Sequence, residues 1–465
     1  MEHQTRTRRR YGAVLALVAG AVPWFVTIGD LSEAGHRQLS IFLLAVVLWV
    51  TEAVPLHATA ACIIGLQVIL VSDQAIFGVP AGFEAPPYAE FYGALADPVI
   101  ILFLGGFFLA DAAAKFDLDR NLARVLLTPF GDRPSRLILG IMVITAVLSM
   151  FMSNTATTAT MLAVVLPVAG RLPPGDPTRV ALALCVPVAA NVGGIGTPVG
   201  TPPNAVAISA LSSAGYDLTF LDWMVLAVPF VVIILIAAWL VLCRFFPAEV
   251  DTLDVRIESV FDRSRNATIL YVTAGATIAG WLTEPLHGVP AAVVAFLPIA
   301  VLLTTRVFTA DDLRRVQWHV LWLVAGGIAL GDGVVSTGLD EWFVGLLPLD
   351  DLPALALAAV LASVALVAST VISNSATANL LVPIGLTVAA SAAVAIDPVL
   401  AGVLIAVGCS LAMMLPVSTP PNAVAYATGS VKTTDMAAVG AVVGVVGLLV
   451  FVLLAPPVWE ALGLL

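Results

Sequence analysis

Apolar stretches long enough to cross a lipid bilayer recur along the whole chain, and this pattern restricts the fold more than any other feature. A crossing helix needs about 20 predominantly apolar residues. Within a bilayer, only helices and closed barrels satisfy their own backbone hydrogen bonds. Of the 465 residues, 60% are hydrophobic and 11% are charged, whereas about 25% of a soluble domain is charged. The sequence therefore predicts one all-α polytopic membrane domain over residues 1–465.

Eleven apolar stretches fit simple crossings. They are 11–29, 39–55, 57–72, 97–115, 178–214, 220–246, 267–283, 289–306, 317–338, 398–430 and 435–458. The first follows a basic N-terminus, as in a signal peptide, but no small-residue cleavage site ends it, so we expect a retained helix. Two more apolar stretches, 136–171 and 352–393, carry a polar break at the centre. We interpret both as re-entrant hairpins, because non-helical backbone at membrane depth is tolerated where it is buried in protein or lines a wet cavity.

The basic residues indicate an orientation. With a cytoplasmic N-terminus and alternating spans, 19 of the 20 lysines and arginines lie inside, and only Arg37 lies outside. Such a cytoplasmic excess is the usual bias in membrane proteins. We therefore expect a multi-pass protein of the cell membrane with its C-terminus outside. The net charge of −11 argues against a nucleic-acid partner.

Segments of the first half recur in the same order in the second half. A Gly-Gly pair followed by Asp111 recurs 221 residues later before Asp332. Ser-Asn-Thr at 153–155 recurs as Ser-Asn-Ser at 373–375, an offset of 220. These two tripeptides occupy the polar breaks of the two hairpins, and we call them the tips. The Gly-Gly pairs themselves are interpreted as sites of close helix packing.

A third match is the T-P-P-N motif, which stands at 201–204 and again at 419–422, an offset of 218. Proline removes a helical hydrogen bond, and the residue before it avoids the helical region. The spans 178–214 and 398–430 should therefore each unwind at this motif. Unwound carbonyls suit a small cation such as Na⁺, and the free N–H groups of a half-helix suit an oxyanion.

The order of the matches predicts two inverted repeats. Five spans separate the two hairpins, and an odd number inverts the second copy. The first repeat would cover 97–246, with hairpin 136–171, and the second 317–458, with hairpin 352–393. Inverted repeats with discontinuous helices are typical of secondary transporters, which hold substrate at the repeat interface. Neither tip nor either T-P-P break contains Asp, Glu or His, so sodium is predicted as the coupling ion rather than a proton.

Two such tips, each followed by T-P-P-N, resemble the divalent anion–sodium symporter family, whose members carry dicarboxylates, citrate or sulfate. Residues 409–422, Cys-Ser-Leu-Ala-Met-Met-Leu-Pro-Val-Ser-Thr-Pro-Pro-Asn, resemble that family's signature stretch, with Met413 where a Phe is usual. The resemblance extends over essentially the whole chain. It implies a homodimer in which a mobile part moves like an elevator against a fixed scaffold. The hairpins and the helices of 178–246 and 398–458 would form the mobile part.

The resemblance also implies the ligand-binding residues. One sodium site would consist of Ser149, Ser153, Asn154 and Gly200. Its mirror image would consist of Ser369, Ser373, Asn374 and Ser418. The substrate would contact Ser153, Asn154, Thr155, Thr201, Pro202, Ser373, Asn374, Ser375, Thr419 and Pro420. Ser375 stands where the family usually has Thr, which leaves the size preference for the substrate open.

The predicted function is sodium-coupled uptake of a C4-dicarboxylate such as succinate or malate, and an enzyme is not expected. Sulfate or citrate transport, and anion exchange without a cation, are alternatives, as are a channel and the arsenite or Na⁺/H⁺ carriers of related architecture. Asp111 and Asp332 offer a remote alternative as the dyad of an intramembrane aspartyl protease, since intramembrane acids are functional candidates. The Gly-x-Gly-Asp context of such proteases is absent, because Ala329 occupies the first Gly position. Glu52, at an inner helix end, is interpreted as an interfacial carboxylate.

Overall fold

The computed structural model describes residues 2–26, 28–253, 260–346, 353–390 and 396–464. All regular structure in these ranges is helical. Residues 352 and 391–393 of the second predicted hairpin lie outside the described residues. The α-helices are α1 (Glu2–Ala21), α2 (Glu33–Thr51), α3 (Leu56–Leu70), α4 (Tyr88–Gly93), α5 (Pro98–Lys115), α6 (Leu118–Leu127), α7 (Pro134–Phe151), α8 (Asn154–Arg171), α9 (Thr178–Gly194), α10 (Pro202–Ser213), α11 (Phe220–Phe245), α12 (Arg265–Leu282), α13 (Glu284–His287), α14 (Ala291–Val294), α15 (Phe296–Thr304), α16 (Ala310–Arg315), α17 (Trp318–Ser336), α18 (Leu339–Gly345), α19 (Ala354–Val371), α20 (Asn374–Ala390), α21 (Pro398–Ser410), α22 (Pro420–Ala427) and α23 (Thr433–Ala461).

Seven helical segments of the described chain are long and apolar enough to cross a membrane. They are Glu33–Thr51, Tyr88–Lys115, Pro134–Phe151, Phe220–Phe245, Trp318–Ser336, Ala354–Val371 and Thr433–Ala461. Leu56–Leu70, Thr178–Gly194, Ala291–Thr304 and Pro398–Ser410 are shorter apolar helices. The predicted all-α polytopic membrane fold is confirmed. The number of crossings and the re-entrant path stay predictions, because α7 and α19, the first arms of the predicted hairpins, are themselves long enough to cross.

Several predicted boundaries are wrong. The first span was expected at 11–29, but its helix begins at Glu2 and ends at Ala21, where a short 3₁₀ turn containing Pro23 follows. Proline cannot extend the α-helix that precedes it. The span expected at 289–306 is two helices that meet at Ala295. Glu52 does terminate α2, in the left-handed conformation with φ of 49°.

The two tips each join a pair of neighbouring helices through two non-helical residues. α7 ends at Phe151 and α8 begins at Asn154, and α19 ends at Val371 before α20 begins at Asn374. α7 and α8 both pack on α9, and α19 and α20 both pack on α21. The T-P-P-N helices pack on the opposite half: α10 against α20 and α21, and α22 against α8 and α9. The two halves therefore interlock at the breaks.

The Gly-Gly pairs lie where α5 and α17 each touch two neighbours. A Cβ at the first glycine would lie 2.3 Å from the Ala295 carbonyl oxygen in α5 and 2.3 Å from the Ala60 Cβ in α17. At the second glycine, the nearest atoms belong to Val199, at 3.4 Å in the first half, and Asn379, at 2.0 Å in the second. The prediction of close packing is confirmed. The first glycine of each pair faces the α14–α15 junction in the first half and α3 in the second. The second glycine faces the segment between α9 and α10 in the first half and α20 in the second.

Candidate functional site

Each T-P-P-N motif opens the second part of a broken helix. α9 ends at Gly194, residues 195–201 are not helical, and α10 begins at Pro202. In the second half, α21 ends at Ser410 and α22 begins at Pro420. The threonine before each proline pair is an N-cap with extended backbone, with φ of −151° and −140°. The predicted unwinding is confirmed, and the prolines occupy the first helical turn, where a missing N–H costs nothing.

The asparagine that ends each motif holds the unwound segment in place. In the first half, Asn204 Nδ2 donates to the carbonyl oxygens of Gly194 (3.0 Å), Ile195 (3.2 Å) and Thr197 (2.8 Å). In the second half, Asn422 Nδ2 donates to the carbonyl oxygens of Met413 (2.8 Å) and Leu415 (3.0 Å). Both asparagines are fully buried, so these bonds replace the helical ones that the breaks remove. Sequence reasoning assigned no role to Asn204 or Asn422, although their presence in both copies was a signal.

The first tip and the first break meet around Gly194. The hydroxyl of Ser149 is buried, donates to the Ala190 carbonyl oxygen at 2.9 Å and contacts Asn154 Oδ1. A Cβ at Gly194 would lie 2.6 Å from both Asn154 amide atoms, and a Cβ at Gly200 would lie 2.3 Å from the Gly194 carbonyl oxygen. Three members of the first predicted sodium site, Ser149, Asn154 and Gly200, are thereby brought together. The fourth, Ser153, is the N-cap of α8 and makes no side-chain capping bond.

The second tip and the second break meet through Ser418. Its Oγ donates to the Thr370 carbonyl oxygen at 2.9 Å and accepts from the Leu415 N–H at 3.2 Å. Ser369 is fully buried beside the Cys409 thiol, and its Oγ has no oxygen or nitrogen partner among the described residues. Asn374 Oδ1 is buried without a partner in the same part of the chain. Buried polar atoms without partners are costly, so these two oxygens are available to a ligand.

The residues predicted to touch the substrate lie at four helix starts. Asn154 and Asn374 are the first residues of α8 and α20, and Thr155 and Ser375 follow them, all four partly exposed. Thr201 and Thr419 are buried, Pro202 is half-buried and Pro420 is exposed. Helix starts present N–H groups that favour negative charge. These ends therefore offer donors next to the oxygen-rich clusters described above.

The protease dyad is incompatible with the placement of the two aspartates. Asp332 interacts electrostatically with Asp97, which caps the start of α5. Asp111 lies 14 residues further along the same helix, about 21 Å away at 1.5 Å per residue. Asp111 instead interacts with Asp312 at the other end of α5. Asp332 of α17 therefore lies beside the start of α5, whereas Asp111 lies near its end, and two carboxyls so far apart cannot share a proton.

Comparison with known proteins agrees with this architecture. Residues 8–465 match the family model described as the sodium:sulfate symporter transmembrane region. The chain is 30% identical to the sodium-dependent dicarboxylate transporter SdcS of Staphylococcus saprophyticus, over 96% of this chain and 92% of the relative. It is 27% identical to SdcS of Staphylococcus aureus, over 97% and 95% of the two chains.

A solved structure shares the fold. The YdaH transporter of Alcanivorax borkumensis, whose topology is described as unusual, superimposes with a TM-score of 0.59. The match covers 93% of this chain and 99% of that chain, at 15% sequence identity. At this identity the likeness concerns the fold alone. The two proteins therefore share a fold over most of the chain.

Proposed function

This chain belongs to the sodium:sulfate symporter family of membrane transporters, and we propose that it couples the uptake of a C4-dicarboxylate, such as succinate or malate, to sodium. The two staphylococcal relatives are named as sodium-dependent dicarboxylate transporters. The observation that carries the proposal is the pairing of each polar tip with an unwound segment of neutral oxygen atoms. Such a site suits a small cation and an anion together.

Sodium is the proposed cation because the site offers neutral oxygen atoms. Asn374 Oδ1 is buried without a partner within the described residues, and Ser369 Oγ, buried beside the Cys409 thiol, has no oxygen or nitrogen partner there. Hydroxyl, amide and carbonyl oxygens bind a hard cation without losing a proton. A proton-coupled carrier needs a titrating group, and the tips and T-P-P breaks contain no Asp, Glu or His.

A dicarboxylate is the proposed substrate because the two tips repeat the same donor arrangement. Each tip presents an asparagine, a hydroxyl and the N–H groups of a helix start, at α8 and α20. One carboxylate can be held by each set, without Lys or Arg at the tips. Ser375 lacks the methyl group of Thr155, so the second set leaves more room.

An elevator movement in a homodimer is the proposed mechanism. The mobile part would comprise α7–α11 and α19–α23, and α5 and α17 would border it. The second glycines of the Gly-Gly pairs, Gly106 and Gly327, let Val199 and Asn379 of the proposed mobile part approach these bordering helices closely. The Val199 contact is apolar, whereas Asn379 Nδ2 donates to the Leu323 carbonyl oxygen of α17 at 3.0 Å, a hydrogen bond that the movement would have to break.

Uptake into proteoliposomes tests the proposed function. Labelled succinate, citrate and sulfate should each be offered with an inward sodium gradient, with a proton gradient alone, and with internal substrate alone. Sodium-driven succinate uptake that saturates and shows counterflow is expected. Uptake driven by protons alone would refute sodium coupling, and preference for sulfate would refute the dicarboxylate. Uptake that needs only internal substrate would establish an exchanger.

Orientation is tested separately with single cysteines in a background that lacks the four native ones. Pro174 follows α8, and Tyr216 follows α10; both are exposed. The predicted span 178–214 lies between these residues, so Pro174→Cys should be labelled from the cytoplasm and Tyr216→Cys from outside. Labelling of both from one side contradicts this orientation.

A further inference from the structure

Three buried polar side chains join the two halves of the chain at the second break. Asn191, near the end of α9, donates from Nδ2 to Thr419 Oγ1 at 3.1 Å and to Asn422 Oδ1 at 3.2 Å. The exposed fraction is 4% for Asn191 and Thr419 and 1% for Asn422. An apolar side chain would pack equally well at this buried position. The hydrogen bonds of Asn191 therefore need an explanation other than packing.

Among the residues that the structure describes, the first half has no equivalent connection. By the 218-residue offset of the T-P-P-N motifs, the position that corresponds to Asn191 is Cys409. A thiol is a weak hydrogen-bond donor. Accordingly, Asn204 Oδ1, the atom equivalent to Asn422 Oδ1, is buried without a partner among the described residues. Thr201 likewise makes no side-chain capping bond, whereas Thr419 does.

The orientation of the amides follows from atoms that can only accept. The Met413 and Leu415 carbonyl oxygens require Nδ2 of Asn422, so its Oδ1 faces Asn191. An amide oxygen cannot donate, so Asn191 must present its Nδ2. Its second hydrogen then points to Thr419 Oγ1, which also accepts from the Asn422 backbone N–H at 3.3 Å.

We infer that Asn191 is a positioning residue that commits the Thr419 hydroxyl to donating a hydrogen bond to the transported anion. A hydroxyl group has one hydrogen to donate and two lone pairs to accept with. Asn191 and the Asn422 N–H occupy both lone pairs of Thr419, so only its O–H is left for a ligand. A carboxylate takes donors and Na⁺ takes lone pairs; Thr419 therefore serves the anion.

The hydroxyl of the neighbouring Ser418 is left to accept rather than to donate. Its hydroxyl hydrogen is used on the Thr370 carbonyl, and the Leu415 N–H takes one lone pair. One lone pair is left, which suits a cation. Thr419 thus binds the anion and Ser418 the cation, and the hydrogen bond from Asn191 keeps Thr419 in its donor role. This inference rests on the proposed function and assigns a residue to its anion selectivity.

The test compares Asn191→Asp, Thr419→Val and the double variant in proteoliposomes. The aspartate has the same shape; buried and facing Asn422 Oδ1, it takes the protonated form, donates its one hydrogen to that oxygen and presents its other oxygen to Thr419, whose hydrogen turns toward it and away from the anion. Each single change should raise the KM for succinate about tenfold or more, as expected for a lost hydrogen bond to a charged group. The double variant should be no worse than the poorer single one, because both remove the same donor. Sodium activation should be unchanged in all three.

A matched control is Asn121→Ala, which removes a buried asparagine of α6 that has no partner in the described structure; it should keep the native KM. A native KM in Asn191→Asp, effects that multiply in the double variant, or an equal rise in the sodium requirement would each overturn the inference.

Thermal stabilisation in detergent by succinate, sulfate or NaCl gives a readout without transport. The Asn191→Asp protein should lose the anion-dependent shift and keep the sodium-dependent one; the reverse pattern refutes the role. Failure of the proposed function appears instead as a wild-type protein without sodium-dependent anion uptake.

Discussion

Gly194 should be required for sodium coupling, because the Asn154 amide fills the space beside its Cα. In Gly194→Ala the new Cβ would lie 2.6 Å from both amide atoms. Ordinary contacts begin at 3.4 Å, so the amide must withdraw by about 0.8 Å to restore normal van der Waals separation. The obstructing group is the end of a side chain rather than backbone, so the fold should tolerate the change.

The withdrawal breaks the contact between Asn154 and Ser149 and moves an oxygen away from the cation. A hydrogen bond contributes about 1 kcal/mol and one to a charged group about 1.5–3 kcal/mol. Since 1.4 kcal/mol corresponds to a factor of ten, the sodium concentration for half-maximal uptake should rise about tenfold or more. The melting temperature in detergent without sodium should stay close to that of the wild type.

The assay is the initial rate of labelled succinate uptake into proteoliposomes over a range of sodium concentrations. Gly170→Ala in α8 is the matched control, because nothing lies within 4 Å of a Cβ there. Gly193→Ala is the contrasting control: its Cβ would lie 2.4 Å from the Ala146 carbonyl oxygen, so the backbone must move and the protein should be destabilised. Unchanged sodium activation in Gly194→Ala would refute the placement of Asn154 in the cation site.

Three other substitutions have defined outcomes. Asn154→Ala and Asn374→Ala should each reduce sodium-driven uptake at least about tenfold, because an amide that binds the ligands is lost from the site, while size-exclusion profiles stay normal; normal transport by either would remove that tip from the site. Burial alone would raise the pKa of the Asp312 carboxyl in α16, but hydrogen bonds from Lys115 and Thr309 lower it below its usual value. Its stabilising effect is therefore present above the ordinary carboxyl pKa and lost as the pH falls through the lowered folded-state pKa. Asp312→Asn should cost less than about 1 kcal/mol of unfolding free energy, since this pair lies near the surface, and should flatten the acidic limb of the thermal stability profile; an unchanged acidic limb would contradict the ion pair with Lys115.

Local chemistry made the helix breaks predictable from the sequence. Proline constrains its own backbone and that of the preceding residue, and both T-P-P-N motifs do stand at the ends of unwound segments. The polar tips were equally visible, because Ser-Asn-Thr interrupts a long apolar run. The interruption at Ala295 was missed, although Pro298 lacks the N–H that would bond the Val294 carbonyl; what the sequence could not reveal is that Gly105 packs against the Ala295 carbonyl oxygen.

Asn191 illustrates what a single sequence conceals. It stands in an apolar run, Val-Ala-Ala-Asn-Val-Gly-Gly, and its partners are 228 and 231 residues away. Nothing local distinguishes it from an asparagine that packs between helices. The difference between the copies, Asn at 191 and Cys at 409, is the signal that alignment of the two halves provides.

The two halves share their backbone plan but not their hydrogen-bond chemistry. The carbonyls of Met150 and Thr370 are equivalent by the 220-residue offset of the tips, and each accepts a hydroxyl from the break of its own half. The donors are not equivalent: Thr197 serves the first carbonyl and Ser418 the second. Gly200, which corresponds to Ser418, has only backbone atoms to offer a cation. Two sodium ions bound at these places would therefore differ in one ligand, a backbone oxygen of Gly200 in the first half and the Ser418 hydroxyl in the second, and should differ in affinity even though the motifs that frame them match.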